Sequence, residues 1–189
     1  MRKYELTDET IEHYGHILHR IRALHYFNGI QKDELGGFIE NEHNLAHEGN
    51  CWVAENARIF GSARVFGKAE VFGNAEVFGD AKVFGNAIVN GDAKVFGDAF
   101  VCGDAFVCGE ALVCGTNDYI VFKNWWSSGR YFTWTRSNNM WKVGCFYGTG
   151  EELIAKAYND SEKSGREYER VVKYVESILA DELMKGGEE

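Results

Sequence analysis

Aromatic and basic side chains are concentrated in residues 119–148, and together they could bind a planar anion. The segment contains no acidic residue. Aromatic rings stack on nucleobases and cationic groups neutralise phosphates, so a nucleotide or single-stranded nucleic acid is the predicted ligand. The alternative is that these rings pack on the preceding segment as core. The candidate contact residues are Trp125, Trp126, Arg130, Trp134, Arg136, Trp141 and Lys142.

Histidines near the N-terminus are a second set of side chains capable of chemistry. His13, His16, His19 and His25 lie close together in the sequence. On an extended chain six residues span about 20 Å, so these four cannot all reach one metal ion. We expect surface or structural histidines, with a metal or catalytic role as the alternative, and we predict no cofactor.

Composition limits the partners and the compartment. The 189 residues include 29 acidic and 20 basic side chains, a net charge of −9 that argues against coating nucleic acid or an anionic membrane. No apolar run approaches the ~18 residues of a spanning helix, and the Met-Arg-Lys start lacks the apolar stretch of a signal peptide. Five cysteines, an odd number, do not indicate a disulfide framework. We therefore expect a cytoplasmic protein.

A six-residue repeat from Val53 to Gly115 determines which elements position these side chains. In the unit Val77-Phe78-Gly79-Asp80-Ala81-Lys82, alternation places Val, Gly and Ala on one face and Phe, Asp and Lys on the other. A glycine in every unit allows the chain to turn with positive φ. Antiparallel hairpins would need a twelve-residue repeat, so identical units predict a chain that always turns the same way, a parallel solenoid.

This repeat resembles that of the hexapeptide-repeat, left-handed β-helix superfamily. The resemblance implies triangular coils of three units and a left hand, although glycine here stands two places after the aliphatic residue. We expect a mainly β protein, a left-handed parallel β-helix of about four triangular coils over residues 36–118. An N-terminal β cap over 1–35 and an α+β segment over 119–189, ending in an amphipathic helix, complete the prediction.

With three units per coil, residues 18 apart stack on one of three sides. Outward phenylalanines then form columns that either cover one another or contact a second subunit. We predict a homo-oligomer, a dimer or trimer, that uses Phe60, Phe78 and Phe96 on side one, Phe66 and Phe84 on side two, and Phe72 on side three.

Other outward positions have structural interpretations. Arg58, Glu76 and Lys94 alternate in sign along side one, which favours cross-strand ion pairs. Cys102, Cys108 and Cys114, evenly spaced by one repeat unit, fall on three different sides, too far apart to share a zinc ion. We interpret these cysteines as packing residues and predict no metal site.

The start of the solenoid is less regular. Ile39 and Leu45 are one repeat unit apart, which predicts a first coil with a two-residue insertion before Val53. The entry Leu35-Gly36-Gly37-Phe38-Ile39-Glu40 resembles that of uncharacterised phage and prophage hexapeptide-repeat proteins. Residues 3–28 are expected to form a β-hairpin that turns near Gly15, while a helix over 7–24 remains open.

The C-terminal part is expected to cover the last coil, which turns Phe100, Phe106 and Leu112 outward. Ser137-Asn138-Asn139 predicts a turn within a hairpin or small sheet. Capping-box spacing at Thr149–Glu152 and again at Ser164–Glu167 predicts two helices. The second carries an apolar stripe that is either core or a partner contact, and its other face and the tail to Glu189 are expected to be acidic. The stripe comprises Tyr168, Val171, Val172, Val175, Ile178 and Leu179.

The superfamily resemblance implies one enzymatic possibility, an acyltransferase with a catalytic histidine near the coils. Residues 51–118 contain no histidine, so we expect a non-catalytic, oligomeric binding protein instead. The entry resemblance implies a phage- or prophage-encoded protein in a bacterial host cell, acting on a host or defence protein as anti-CRISPR-like inhibitors do. Sequestration of a nucleotide by the aromatic segment and a purely structural scaffold are the alternatives.

Overall fold

The chain begins with a β-hairpin and not with a helix. In the computed structural model, which describes residues 1–185, β1 (Tyr4–His13) and β2 (His16–Ala23) pair antiparallel. Tyr14 and Gly15 make the turn with φ of 49° and 82°. The hairpin prediction is thereby confirmed.

Twelve short strands follow, and they stack into a parallel solenoid with three strands per coil. Side one contains β3, β5, β8, β11 and β14, side two contains β6, β9 and β12, and side three contains β4, β7, β10 and β13. The predicted β-solenoid of about four coils is confirmed. The strands are β3 (Leu35–Ile39), β4 (Trp52–Val53), β5 (Arg58–Ile59), β6 (Arg64–Val65), β7 (Glu70–Val71), β8 (Glu76–Val77), β9 (Lys82–Val83), β10 (Ile88–Val89), β11 (Lys94–Val95), β12 (Phe100–Val101), β13 (Phe106–Val107) and β14 (Leu112–Val113).

The strand register shows where the first coil is irregular. Ile39 pairs with Ile59 and Leu45 with Val65, and these two pairs have the same sequence separation. Val53 pairs with Val71, and this separation is shorter by two. The two extra residues therefore lie between Leu45 and Val53, as predicted. Later coils keep the separation of the Val53–Val71 pair.

Small apolar side chains fill the inside of the solenoid, and glycines turn its corners. The valines and alanines of the repeat are 0–1% exposed. Nine corner glycines from Gly61 to Gly109 have φ between 61° and 74°. Some of them also face the next coil closely: a methyl group on Gly85 would lie 2.9 Å from the backbone nitrogen of Gly103. Both conformation and space therefore require glycine there.

The N-terminal hairpin closes the first-coil end and then reaches along side one. Tyr4, Ile21 and Ala23 join the interior core, and the Tyr4 hydroxyl donates to the carbonyl of Leu45 at 2.7 Å. Strand β2 pairs antiparallel with β3, so the hairpin extends the sheet of side one.

A four-stranded antiparallel sheet and two helices follow the solenoid. The strands β15 (Tyr119–Lys123), β16 (Tyr131–Thr135), β17 (Met140–Val143) and β18 (Phe146–Gly148) pair in chain order. The sheet covers the last coil, as predicted. The Thr133 hydroxyl accepts from the Phe106 N–H at 2.9 Å, and the Ser137 hydroxyl accepts from the Leu112 N–H at 2.7 Å.

The helices are α1 (Gly150–Asp160) and α2 (Glu162–Lys185). The capping box of Thr149 and Glu152 is confirmed. The second predicted box is wrong, because α2 begins before Ser164 and the Ser161 hydroxyl accepts from the Ser164 N–H at 3.1 Å. The apolar stripe of α2 is core: Val172 and Val175 are 1% exposed against the sheet.

Two glycine substitutions separate backbone strain from steric clash at the corners. Gly85→Ala should lower the free energy of unfolding by both effects. Gly103→Ala should show only the positive-φ effect of about 1–2 kcal/mol, because a methyl group there meets nothing within 4 Å. Urea titration of both variants measures the difference, and equal losses would contradict the close stacking of corners.

Candidate binding surfaces

The two central tryptophans of the predicted ligand surface are core residues. Trp134 and Trp141 are 1% and 2% exposed, and they pack with Leu153 of α1 and Val172 of α2. Strand alternation places these rings on the helix-facing side of the sheet, while Thr133 faces the solenoid. The rings therefore pack under the helices and not on the last coil.

Two of the predicted basic residues, Arg136 and Lys142, form contacts within the molecule. Arg136 Nη1 lies 2.8 Å from Glu182 Oε2 of α2, and this hydrogen bond raises the pKa of the Arg136 guanidinium. Lys142 Nζ lies 4.7 Å from the centre of the Phe106 ring, on the solenoid side of the sheet. The two cations thus contact different parts of the protein and do not flank one ligand.

The remaining predicted residues lie at the loop between β15 and β16. Trp125 is 83% exposed and Arg130 is exposed, whereas Trp126 packs against Phe132 and Tyr168. The structure therefore does not bring the seven predicted residues together.

The outer face of α2 carries ion pairs of both signs in its first half, whereas its exposed charges beyond Lys173, namely Glu176, Asp181 and Glu182, are acidic as expected. Arg166 pairs with Glu162, Arg170 with Glu167, and Lys173 with Glu169. Basic residues every three or four positions follow the same face as the acids, which the count of acids alone did not reveal. Residues 186–189 of the predicted acidic tail lie outside the described residues.

The three repeat cysteines lie on different sides of the solenoid and do not form a cluster. Cys102, Cys108 and Cys114 follow strands of three different sheets, and burial raises the pKa of the Cys108 thiol to about 11. Among residues 1–185, no group of three or more His, Cys, Asp or Glu side chains could hold a metal ion.

Two histidines fasten the hairpin tip to the solenoid. His13 Nε2 lies 3.0 Å from Glu76 Oε1, and His16 Nδ1 lies 2.9 Å from Glu40 Oε1. The contact with His16 lowers the pKa of the Glu40 carboxyl. These histidines are structural, in agreement with the first of the two interpretations of the sequence.

Side one is partly covered by this hairpin. Phe60, Phe78 and Phe96 stack with ring centres 5.0 Å and 5.2 Å apart, and Arg58 and Lys94 both pair with Glu76. Phe60 is only 4% exposed because the hairpin tip lies over it. Phe60, one of the predicted subunit contacts, is thus covered by its own chain.

Side two is an open face that combines aromatic rings with cations. Phe66 and Phe84 stack at 4.8 Å and 3°, and Phe100, 40% exposed, meets Phe84 edge-on. Arg64 lies 5.9 Å from the Phe66 ring and Lys82 lies 4.9 Å from the Phe100 ring. Within residues 1–185 neither cation forms a salt bridge, so both remain available to a partner.

A groove of about 410 Å³ opens at the first-coil end of side two. Its walls include Glu48 and Gly49 from the irregular first coil and Arg64 and Phe66 from β6 and the corner after it. The two-residue insertion forms this wall. The sequence predicts the insertion but not which side of the solenoid its loop lies on, because that position depends on how the coils stack.

The sequence matches no protein-family model, and no curated protein is similar enough to count as a match. In the described part of the chain, no helix is both long and apolar enough to cross a membrane.

Two tryptophan substitutions distinguish core from surface in the C-terminal unit. Trp134→Ala should cost about 3–5 kcal/mol of unfolding free energy, because it removes a buried ring from the sheet–helix core. Trp125→Ala should change stability by less than about 0.5 kcal/mol. Thermal or urea unfolding followed by circular dichroism measures both, and similar effects at the two sites would contradict the assignment.

Proposed function

We propose that the protein is a non-catalytic homodimer that forms through side two and acts by binding another protein. The observation that carries the proposal is the pattern on side two: Arg64 and Lys82, which form no salt bridge among residues 1–185, lie beside the half-buried Phe66 and Phe84 and the exposed Phe100. Exposed aromatic surface of this kind is typical of an interface.

Outward side chains on side two form two columns, because the residues immediately before and immediately after each inward-facing valine both point outward. The first holds Arg64, Lys82 and Phe100, and the second holds Phe66, Phe84 and Cys102. A two-fold axis parallel to the solenoid axis exchanges the columns of two facing copies. Each cation then meets the second copy's phenylalanine from the same coil, which is a self-complementary contact.

The opposite orientation of the two copies is less favourable. A two-fold axis perpendicular to the solenoid axis would place Lys82 against Lys82 of the second copy, with like charges close together. Cation–π contacts contribute about 0.5–2 kcal/mol each, and symmetry doubles every contact in the parallel arrangement. Parallel pairing is therefore the proposed dimer.

The narrower form of the proposal concerns family, origin and partner. The repeat supports a left-handed helix of the hexapeptide-repeat class, and the entry Leu35–Glu40 supports a phage or prophage origin. The net charge of −9 favours a basic surface on the partner, as a host or defence protein with a nucleic-acid site would have. Five free cysteines agree with a place in the bacterial cytoplasm.

The other functions have less support. The acyltransferase has less support because residues 51–118, which form most of the coils, contain no histidine. A scaffold is supported only if association continues into filaments, which a two-fold contact does not produce. A nucleotide on the aromatic sheet would need Trp134 to leave the core.

Sedimentation equilibrium tests the dimer and its face. Phe84→Lys should raise the dimer dissociation constant by about tenfold to a hundredfold, because it replaces both cation–π contacts of Lys82 by repulsion. Phe72→Lys is the matched control, with the same change at the same repeat position on side three, and it should leave association unchanged.

A monomeric wild-type protein at millimolar concentration would refute the dimer. Equal effects of Phe84→Lys and Phe72→Lys would refute the choice of face. Pull-down from bacterial lysate with wild-type protein then tests protein binding, and retention of a basic protein that salt releases is the expected result.

A further inference from the structure

A cavity of about 260 Å³ lies between the aromatic sheet and the helices, away from side two. Its floor is formed by the edges of Trp134 and Trp141, and its rim includes the start of α1 and one turn of α2. The cavity is the size of an amino-acid residue. The chemistry of its wall indicates which group it accepts.

One indole donor opens onto this cavity and has no partner within the protein. Trp141 is 2% exposed, and its Nε1 makes no hydrogen bond within the described part of the chain. The neighbouring Trp134 Nε1, in contrast, donates to Asn139 Oδ1 at 2.8 Å. This N–H is open to the cavity, where water can accept from it, so a ligand that binds here must supply an acceptor oxygen in place of that water.

The start of α1 lies beside the same donor. A methyl group on Gly150 would stand 3.3 Å from Trp141 Nε1 and 2.7 Å from Val172 Cγ1, so glycine keeps this indole nitrogen uncovered. The Thr149 hydroxyl accepts from the Glu152 N–H, whereas the N–H groups of Gly150 and Glu151 precede the first intrahelical acceptor. An acceptor oxygen near Trp141 would also meet this helix end.

Two carboxylates line the rim above these donors. Glu151 and Glu176 are exposed, and neither forms a salt bridge among residues 1–185. The nearby Lys173 is paired with Glu169, and the charge of Glu176 adds a smaller contribution to the raised pKa of its ammonium. A cation therefore fits at the rim, whereas an anionic ligand such as a phosphate would be repelled by Glu151 and Glu176.

We propose that this cavity binds an α-ammonium group together with the adjacent carbonyl oxygen. The oxygen accepts from Trp141 Nε1, and the ammonium lies between Glu151 and Glu176. Free amino acids and the N-terminal residues of peptides both have this pair of groups.

Calorimetry on the full chain tests the site with three probes. Leucyl-glycine amide and free leucine each have the ammonium and the carbonyl oxygen, while N-acetyl-leucyl-glycine amide lacks the cation. Saturable binding of the first or the second is expected, at least about tenfold tighter than that of the acetylated probe. Binding of the dipeptide alone identifies a peptide N-terminus, and binding of leucine alone identifies a free amino acid.

Matched variants locate the binding. Trp141→Phe removes the N–H but keeps the ring, and Glu176→Gln removes one carboxylate; each should weaken binding about tenfold. Trp126→Phe removes an unpartnered indole N–H outside the cavity, and Glu48→Gln removes a carboxylate on the solenoid. These two controls should bind as the wild type does.

Absence of saturation by both free-amine probes at about 10 mM would overturn the proposal, as would equal affinity for the acetylated probe. Equal effects of the cavity variants and their controls would also overturn it. The site does not depend on side two, so the Phe84→Lys variant should bind these probes as tightly as the wild type.

Discussion

The backbone hydrogen-bond ladder between coils is the constraint on which the rest of the structure depends. The N–H of Glu76 donates to the carbonyl of Ala93 at 2.9 Å, and that of Lys94 donates to the carbonyl of Ala111 at 2.8 Å. Donor and acceptor have the same sequence separation in both bonds, and it stays constant only if successive coils have the same shape. Small residues in the solenoid interior and glycines with positive φ at the corners keep that shape, because a larger group would push neighbouring coils apart.

Such a ladder leaves unpaired groups only at its two ends, and the terminal segments are built to satisfy them. At the first-coil end, buried Lys3 donates to the carbonyl of Cys51 at 2.7 Å. At the last-coil end, Thr133 and Asp118 accept the N–H groups of Phe106 and Cys114. The hairpin also extends over side one. Side two is left open by this arrangement, which is why the proposed interface lies there.

Much of this architecture could be predicted from the sequence, because a repeated pattern determines repeated geometry. The parallel coils, the insertion before Val53 and the cover over the last coil all follow from periodicity and from exposed edges. The packing of the aromatic segment, residues 119–148, was harder to predict from the sequence. Alternation predicts two faces for its strands, but not that helices would cover the face of Trp134. The burial of Phe60 likewise depends on a register shift between Leu6 and Thr10 in the hairpin, which no residue pattern signals.

Long-range scalar couplings across hydrogen bonds test the ladder most directly. In a deuterated, ¹⁵N,¹³C-labelled sample, the amide nitrogens of Phe60, Phe78 and Phe96 should couple to the carbonyl carbons of Val77, Val95 and Val113. Every such pair that joins two coils of the repeat should have the same sequence separation as Phe60 and Val77. Couplings that join residues at varying separations, symmetric about turns as in antiparallel hairpins, would contradict the account.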